Sequence, residues 1–261
     1  MKYFLVIVLL VSSLLSFSQD CSNPTQMAFV GGEKVTYKVG YYLSPLWISA
    51  GEVFFETRDT TLEGDSLYYF NAKGWTFKAY DLLFKVRDQY QSYVRKEDFR
   101  PVHFIRDVYE GGFEFFNDVH FNNDSLKAVI NDTMSCEITE CSFDVLSAVY
   151  YSRNIDFTGR EVGDTIPLSL YLDREIHEVY IRYLGKEVIK TNIGRHRCIL
   201  FKPLLIEGTL FEGGEEMNVW VTDDQNKIPL RVESPILIGS VRAEIHETKG
   251  VKYQIGSKVE K

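Results

Sequence analysis

Two aspartates, Asp223 and Asp224, stand side by side in NVWVTDDQNKIPLRVE, Asn218 to Glu233. Adjacent carboxylates can share a proton or hold a cation, so they are the first place to look for chemistry. Their flanks argue for a plainer role. Met217, Val219 and Val221 alternate with Asn218, Trp220 and Thr222 before the pair, and Ile228, Leu230 and Val232 alternate with Pro229 and Arg231 after it. That makes DDQN the connection between two strands, a place where Asp and Asn bond backbone groups and tolerate unusual φ. A calcium loop would repeat D-x-D-x-D-G, and the chain does not. The aspartates read as a hairpin tip. Trp220 is the better ligand candidate, because Arg231 or Pro229 would lie across from it. Trp220 and Arg231 would form either a cation–π pair of ~1 kcal/mol or a platform lining a ligand cavity.

A second cluster, Tyr80, Asp81, Arg87, Asp88 and Tyr90, falls within AYDLLFKVRDQY. In a wide barrel it would form the rim of a polar pocket. The alternative is a helical turn entering a strand, with an Arg–Asp pair of under ~1 kcal/mol on the surface. Among five histidines, His196 and Cys198 are two apart and would share a strand face as a pair of metal ligands. No HxH, HExxH or CxxC accompanies them, so a buried thiol beside a surface histidine is expected and no metal site.

G-x-S-x-G, S-x-x-K and catalytic-cysteine signatures are absent, and the glycine pairs at 31–32, 111–112 and 213–214 lack the K-[ST] of a phosphate loop. No catalytic residue and no cofactor is therefore assigned. Four cysteines, Cys21, Cys136, Cys141 and Cys198, allow three pairings. Cys136 and Cys141 in CEITEC would close a short loop worth roughly 2 kcal/mol, with free buried thiols as the alternative. Asp-Ser or Asp-Thr followed by an apolar residue or Thr places Thr60, Ser66, Ser125, Thr133 and Thr165 in a pattern similar to an O-glycosylation sequon of exported proteins. Good turn chemistry explains the same residues equally well.

These groups must be positioned by what surrounds them. The chain opens MKYFLVIVLLVSSLLSFSQDC, a charged start, a short apolar run and small residues at Ser16 and Ser18. Residues 1–18 are read as a secretory signal peptide, leaving residues 19–261 as a single β-rich domain with a joint between two halves near 158–165. Export places the protein in the periplasm or in association with the outer membrane. No later apolar run has membrane-spanning length, so no transmembrane segment is expected in the mature chain. A net charge of −8 argues against nucleic acid or anionic membrane surfaces as partners.

Alternation of period two dominates the mature chain. EKVTYKVGYY, GEVFFETRD, DSLYYFNA, KVRDQYQSYV, PVHFIRDVYE, FEFFNDVHFN and EVYIRYLG read as strands, punctuated by turn signals at 63–65, 96–101, 110–112, 122–124, 184–186 and 212–214. VFFE, LYYF and FEFF are aromatic on both faces, which predicts a second layer outside the sheet. SFDVLSAVYYSRN, Ser142 to Asn154, breaks the rhythm with Phe143, Leu146, Val149 and Tyr150. It predicts one helix with Ser142 as N-cap, and AYDLLF a single further turn.

With GEKVTYKVGYY, SAGEVFFE, FDVLSAVYYSRN, IGRHRCILFKP and VWVTDDQNKIPLRVE in that order, the chain resembles the bacterial exported family known as domain of unknown function 3108. The resemblance spans about Gly32 to Ile245. It implies a β-rich envelope protein of Gram-negative bacteria and no catalytic residues.

The expected fold is all-β, a large curved antiparallel sheet or barrel-like meander of about a dozen strands with one short amphipathic helix. The expected function is a non-enzymatic binding module for an apolar ligand such as a lipid. A structural or protein-interaction component of the envelope comes second and a hydrolase last. A continuous cavity of a few hundred Å3 would favour the first, an exposed apolar patch the second, and convergent carboxylates with shifted pKa in a cleft the third.

Overall fold

A computed structural model describes residues 26–62, 64–206, 213–236 and 239–260. The signal-peptide segment and Cys21 lie outside the described residues. Alternating apolar and polar side chains build eight strands in the first half of the chain: β1 (Lys34–Leu43), β2 (Leu46–Leu62), β3 (Asp65–Thr76), β4 (Arg87–Arg95), β5 (Pro101–Glu110), β6 (Phe113–Asn122), β7 (Lys127–Ile130) and β8 (Met134–Glu137). A two-residue strand, β9 (Ser142–Phe143), leads into helix α1 (Val145–Ser152). The second half adds β10 (Thr165–Leu172), β11 (Glu175–Thr191), β12 (Gly194–Pro203), β13 (Asn218–Thr222), β14 (Pro229–Pro235) and β15 (Ser240–Lys249).

All fifteen strands join one sheet, in the order β8-β7-β6-β5-β4-β3-β2-β1-β15-β14-β13-β12-β11-β10-β9. Each hairpin-connected strand pairs antiparallel with its neighbour, the short β9–β10 pair is parallel, and β1 and β15 pair at the centre. One sheet therefore runs through both sides of the segment at 158–165. Its two margins are β8 and β9, which the chain joins directly through residues 138–141. Phe121 meets Tyr171 edge to face at 5.2 Å, and Arg106 pairs with Asp173 at 3.1 Å. Those contacts fasten β5 and β6 to the β10 side, so the sheet curls into a barrel-like shell, one of the few ways a strongly twisted sheet of this size is accommodated.

Helix α1 lies inside the curl, in contact with β3 and β4 on one side and β9 and β10 on the other. Its cap is Asp144, whose carboxylate accepts the Leu146 and Ser147 backbone N–H groups at 2.8 and 2.9 Å and the Ser92 hydroxyl at 2.6 Å. The predicted cap, Ser142, instead belongs to β9, where its hydroxyl accepts the Thr139 N–H at 2.8 Å. Asp144 wins because a carboxylate can serve two orphan amides and Ser92 together.

On its β3–β4 side the helix completes a dense aromatic core. Tyr150 stacks on Phe70 at 3.8 Å, and Phe29 packs edge-on to Tyr68, Phe70 and Tyr150 at 5.2–5.4 Å. At the helix C-terminus, Arg153 is buried against Glu33 and donates to the Asn226 carbonyl at 3.0 and 3.1 Å. Burial opposes the guanidinium charge, but the Glu33 carboxylate outweighs it and raises the Arg153 pKa.

Two further expectations are corrected. LGK at 184–186 is not a turn, since β11 continues through it. The register slips one residue between Tyr183 and Gly185, and Gly185 adopts φ +105°, the left-handed conformation that a bulge of this kind assigns to glycine. Nor, among the described residues, does a second layer cover the outer aromatics. Phe54 packs against Trp75 and beneath Lys34, Tyr69 against Tyr93, and Phe116 is exposed. Neighbouring rings and lysine stems do the covering that a second layer would have done.

Candidate functional site

The inward faces of β1, β2 and β10 to β15 carry Val35, Tyr37, Val53, Phe55, Leu168, Ile181, Phe201, Val219, Val232 and Ala243. Alternation sends these side chains into the shell and their neighbours out. On the β3–β8 side the shell is filled by the aromatic core. On this side the described residues leave a gap. Helix α1 turns Val145, Ala148 and Val149 toward the gap, and Val149, placed by periodicity on the buried face, is 38 % exposed, with no described residue packed across from it. The result is a cavity of about 510 Å3, in the size range of small-molecule sites.

Polar groups on its wall are few. Tyr37 and Tyr150 are buried, and burial holds both phenols protonated, with pKa values above the ordinary range. Arg153 reaches the wall already engaged by Glu33 and the Asn226 carbonyl. Tyr180 donates its hydroxyl to Glu215, which also takes two hydrogen bonds from Arg182 at 2.8 and 2.9 Å. The Arg182 bonds, followed by the Tyr180 bond, pull the Glu215 carboxyl down to about 2. The charged groups at the wall are thus satisfied by one another, and the rest of the lining is apolar.

The family model described as protein of unknown function (DUF3108) matches residues 35–246, which includes both the cavity walls and the helix. The chain belongs to the DUF3108 family. No curated protein sequence matches it. Among solved structures it is similar to a β-barrel-like protein of domain of unknown function DUF1849 from Brucella abortus, with a TM-score of 0.54 and 8 % identity over 85 % of this chain and 98 % of that one. An exported protein with a YmcC-like fold from Bacteroides fragilis, so described on a putative basis, matches at a TM-score of 0.37 and 10 % identity over 86 % of this chain and 100 % of that one. The DUF1849 likeness establishes the barrel-like fold.

In this DUF3108 protein the residues singled out from sequence line neither this cavity nor a smaller polar groove of about 340 Å3 between Lys34, Glu52, Trp75 and Lys249. Trp220 and Arg231 do pair across β13 and β14, with the guanidinium 5.9 Å from the ring, and Trp220 also donates to Glu187. They stand on the outer face because Val219 and Val221 take the inner one. Arg87 holds Asp81 through bonds of 2.6 and 3.1 Å, with Thr76 as a third member, and these bonds lower the Asp81 pKa. That is an ion pair at a turn, and Tyr80 starts the turn by accepting the Phe84 N–H.

Asp88 and Tyr90 point inward, but into the other half of the shell. Burial and the nearby Glu110 push the Asp88 carboxyl up to about 7, while the Tyr109 N–H donates to it at 3.1 Å. Two carboxylates do converge here, yet neither lines the apolar cavity or the smaller groove. Burial also raises Tyr90.

The aspartates of the DDQN segment occupy the β13–β14 turn. Asp223 pairs with Lys186 at 2.9 Å and Arg197 at 2.6 Å, which outweigh its burial and lower its pKa. Asp224 accepts from the Thr222 hydroxyl and from the Asn226 and Gly256 N–H groups. His196 is buried rather than on the surface, with Nδ1 3.2 Å from the Ser257 hydroxyl. The Cys198 thiol is buried beside it and pushed up to about 12, first by desolvation. Cys136 and Cys198 are free, so the Cys136–Cys141 loop is not closed. Ser66, Ser125, Thr133 and Thr165 are exposed and Thr60 is half-buried.

Sequence reasoning missed the cavity walls. The alternation that marks Val35, Val53 and Val219 as inward-facing was visible, but it does not say whether the interior they face is filled.

Proposed function

We propose that this DUF3108 protein is an exported cell-envelope binding module whose interior cavity holds an apolar ligand such as a lipid. The observation that carries this reading is the cavity of about 510 Å3 between helix α1 and the inner faces of β1, β2 and β10 to β15, walled almost wholly by aliphatic and aromatic side chains. Leaving such walls wet costs ~25 cal/mol for each Å2 of apolar surface, and an apolar occupant recovers it. The signal-peptide pattern at residues 1–18 supports delivery to the periplasm. In that oxidising setting, with Cys136 and Cys198 free, the disulfide we propose is Cys21–Cys141.

Native mass spectrometry of residues 19–261 purified from a periplasm, followed by solvent extraction and mass analysis, tests the reading. A lipid or other apolar compound at near-stoichiometric occupancy is expected. An apo protein that also leaves an added fluorescent fatty acid unbound would refute it.

A second reading, an envelope component that docks another protein, draws on a specific patch. Leu82 and Leu83 at the β3–β4 turn are 94 % and 81 % exposed, with Phe84 and Phe113 also exposed. Leu82→Ser/Leu83→Ser would release a cross-linked envelope partner under this reading and leave the cavity occupant in place.

A further inference from the structure

We infer that His103, Asp118 and His120 form a binding site for a divalent transition-metal ion on the outer face of the sheet, with Zn2+ the best match to the donors. His103 on β5 and His120 on β6 are directly opposite each other in the strand register. Asp118 precedes His120 by two residues and so projects from the same face. One ligand atom from each of the three lies within 4.8 Å of the others. Asp118 Oδ1 is 2.7 Å from His103 Nε2 and 3.5 Å from His120 Nε2.

A tetrahedral Zn2+ with bonds of ~2.0–2.1 Å holds its ligand atoms about 3.3 Å apart, close to the Asp118–His103 and Asp118–His120 separations of 2.7 and 3.5 Å, and a tilt of the stacked imidazoles would aim both ring nitrogens at the ion. Two imidazole nitrogens and one carboxylate oxygen suit Zn2+, Cu2+ or Ni2+, and do not suit Mg2+ or Ca2+, which want an all-oxygen shell. Three protein ligands leave a fourth position for water or an incoming group.

The three side chains are gathered before any ion arrives. The His103 ring stacks between Tyr93 at 5.4 Å and His120 at 4.1 Å, which keeps the two imidazoles side by side, with the exposed His120 ring able to tilt toward an ion. The Asp118 backbone N–H donates to the Asn131 side chain at 2.8 Å, anchoring the strand beneath its carboxylate. Both strands are internal to the sheet, with β4 and β7 on either side. Access is open, because the His120 side chain is 56 % exposed. From sequence, D-V-H at 118–120 was the visible half. His103 joins it only through the β5–β6 register.

Isothermal titration of tag-free residues 19–261 with ZnCl2 tests the site, alongside Co2+ titration read by its visible absorption. One ion per chain is expected, with Co2+ bands characteristic of nitrogen and oxygen ligation. His120→Ala, an exposed position whose loss leaves the fold intact, should weaken Zn2+ binding roughly ten-fold or more, and Asp118→Asn should act likewise. His177→Ala serves as the control and should change nothing. Absence of Zn2+ binding by the parent protein, or affinity unchanged in His120→Ala with an unaltered far-UV spectrum, would overturn the inference.

Discussion

Glu33→Gln isolates the energetics of the ion pair beside the cavity. Both partners are buried, with side-chain exposures of 1 % for Glu33 and 4 % for Arg153. The amide keeps the shape of the carboxylate but removes its charge, leaving a guanidinium in a low-dielectric interior. Breaking a buried pair in this way costs about 3–5 kcal/mol, and a domain of this size loses about 2–4 °C of Tm per kcal/mol. The product is a fall of about 6–20 °C. The lower end is expected, because Arg153 keeps the Asn226 carbonyl at 3.0 and 3.1 Å and the Ala28 carbonyl at 3.4 Å. Thermal unfolding by far-UV circular dichroism at neutral pH measures it. Glu33→Met/Arg153→Met is the companion variant, and it should lose less than the single change because no charge is left stranded. A Glu33→Gln shift under about 2 °C would show that the pair is not desolvated as the structure has it, and would remove the magnitude argued here.

The other expectations come from single contacts. Ala148→Phe places a ring in the cavity, so the extracted apolar ligand should fall several-fold while Tm holds or rises, because the void is filled; unchanged occupancy would locate the ligand elsewhere. Asp88 titrates near 7 in the fold against about 3.9 when unfolded, so the folded state binds the extra proton between those values. Stability should therefore decline as pH rises from about 4 to about 7, and Asp88→Asn, which retains the acceptor for the Tyr109 N–H, should flatten that decline in urea titrations at several pH values. Gly185→Ala forces a side chain onto φ +105° and should cost about 1–3 kcal/mol in the urea midpoint; no loss would mean that the bulge relaxes freely. Cys198, buried with its pKa pushed up to about 12, should resist iodoacetamide until the protein is unfolded, as peptide mapping would show.

Legibility in the sequence tracks how local each feature is. β1, β3 to β6 and the β13–β14 hairpin could be read because period-two alternation and turn residues act within a few positions. The helix was legible too, but not its cap. Ser142 and Asp144 are both good caps, and the choice was made by Ser92, 52 residues away from Asp144, which donates to the carboxylate. LGK misled for a similar reason, since glycine serves a bulge as readily as a turn and only the Tyr183–Phe201 register distinguishes them.

The functional features are the least local of all. The cavity depends on which inward-facing residues meet an opposing wall, and that is set by the curl of fifteen strands and the placement of α1. Phe70 and Tyr150 close one side of the helix with stacked rings, while Ala148 and Val149 on the other side meet nothing comparable. The same helix thus seals half of the shell and leaves the other half open. An alternation pattern cannot show that asymmetry, because Val35 and Val119 occupy the same kind of inward strand position in both halves. The contrast between halves fits the proposed ligand site better than an ordinary packing fault. A loosely packed shell would scatter small voids throughout, whereas here the β3–β8 half is dense with aromatic contacts and an apolar space of about 510 Å3 lies on the other side of the helix. Filling that space from the helix side, as Ala148→Phe does, should lower occupancy several-fold without disturbing the aromatic half, since the two are divided by the helix backbone itself.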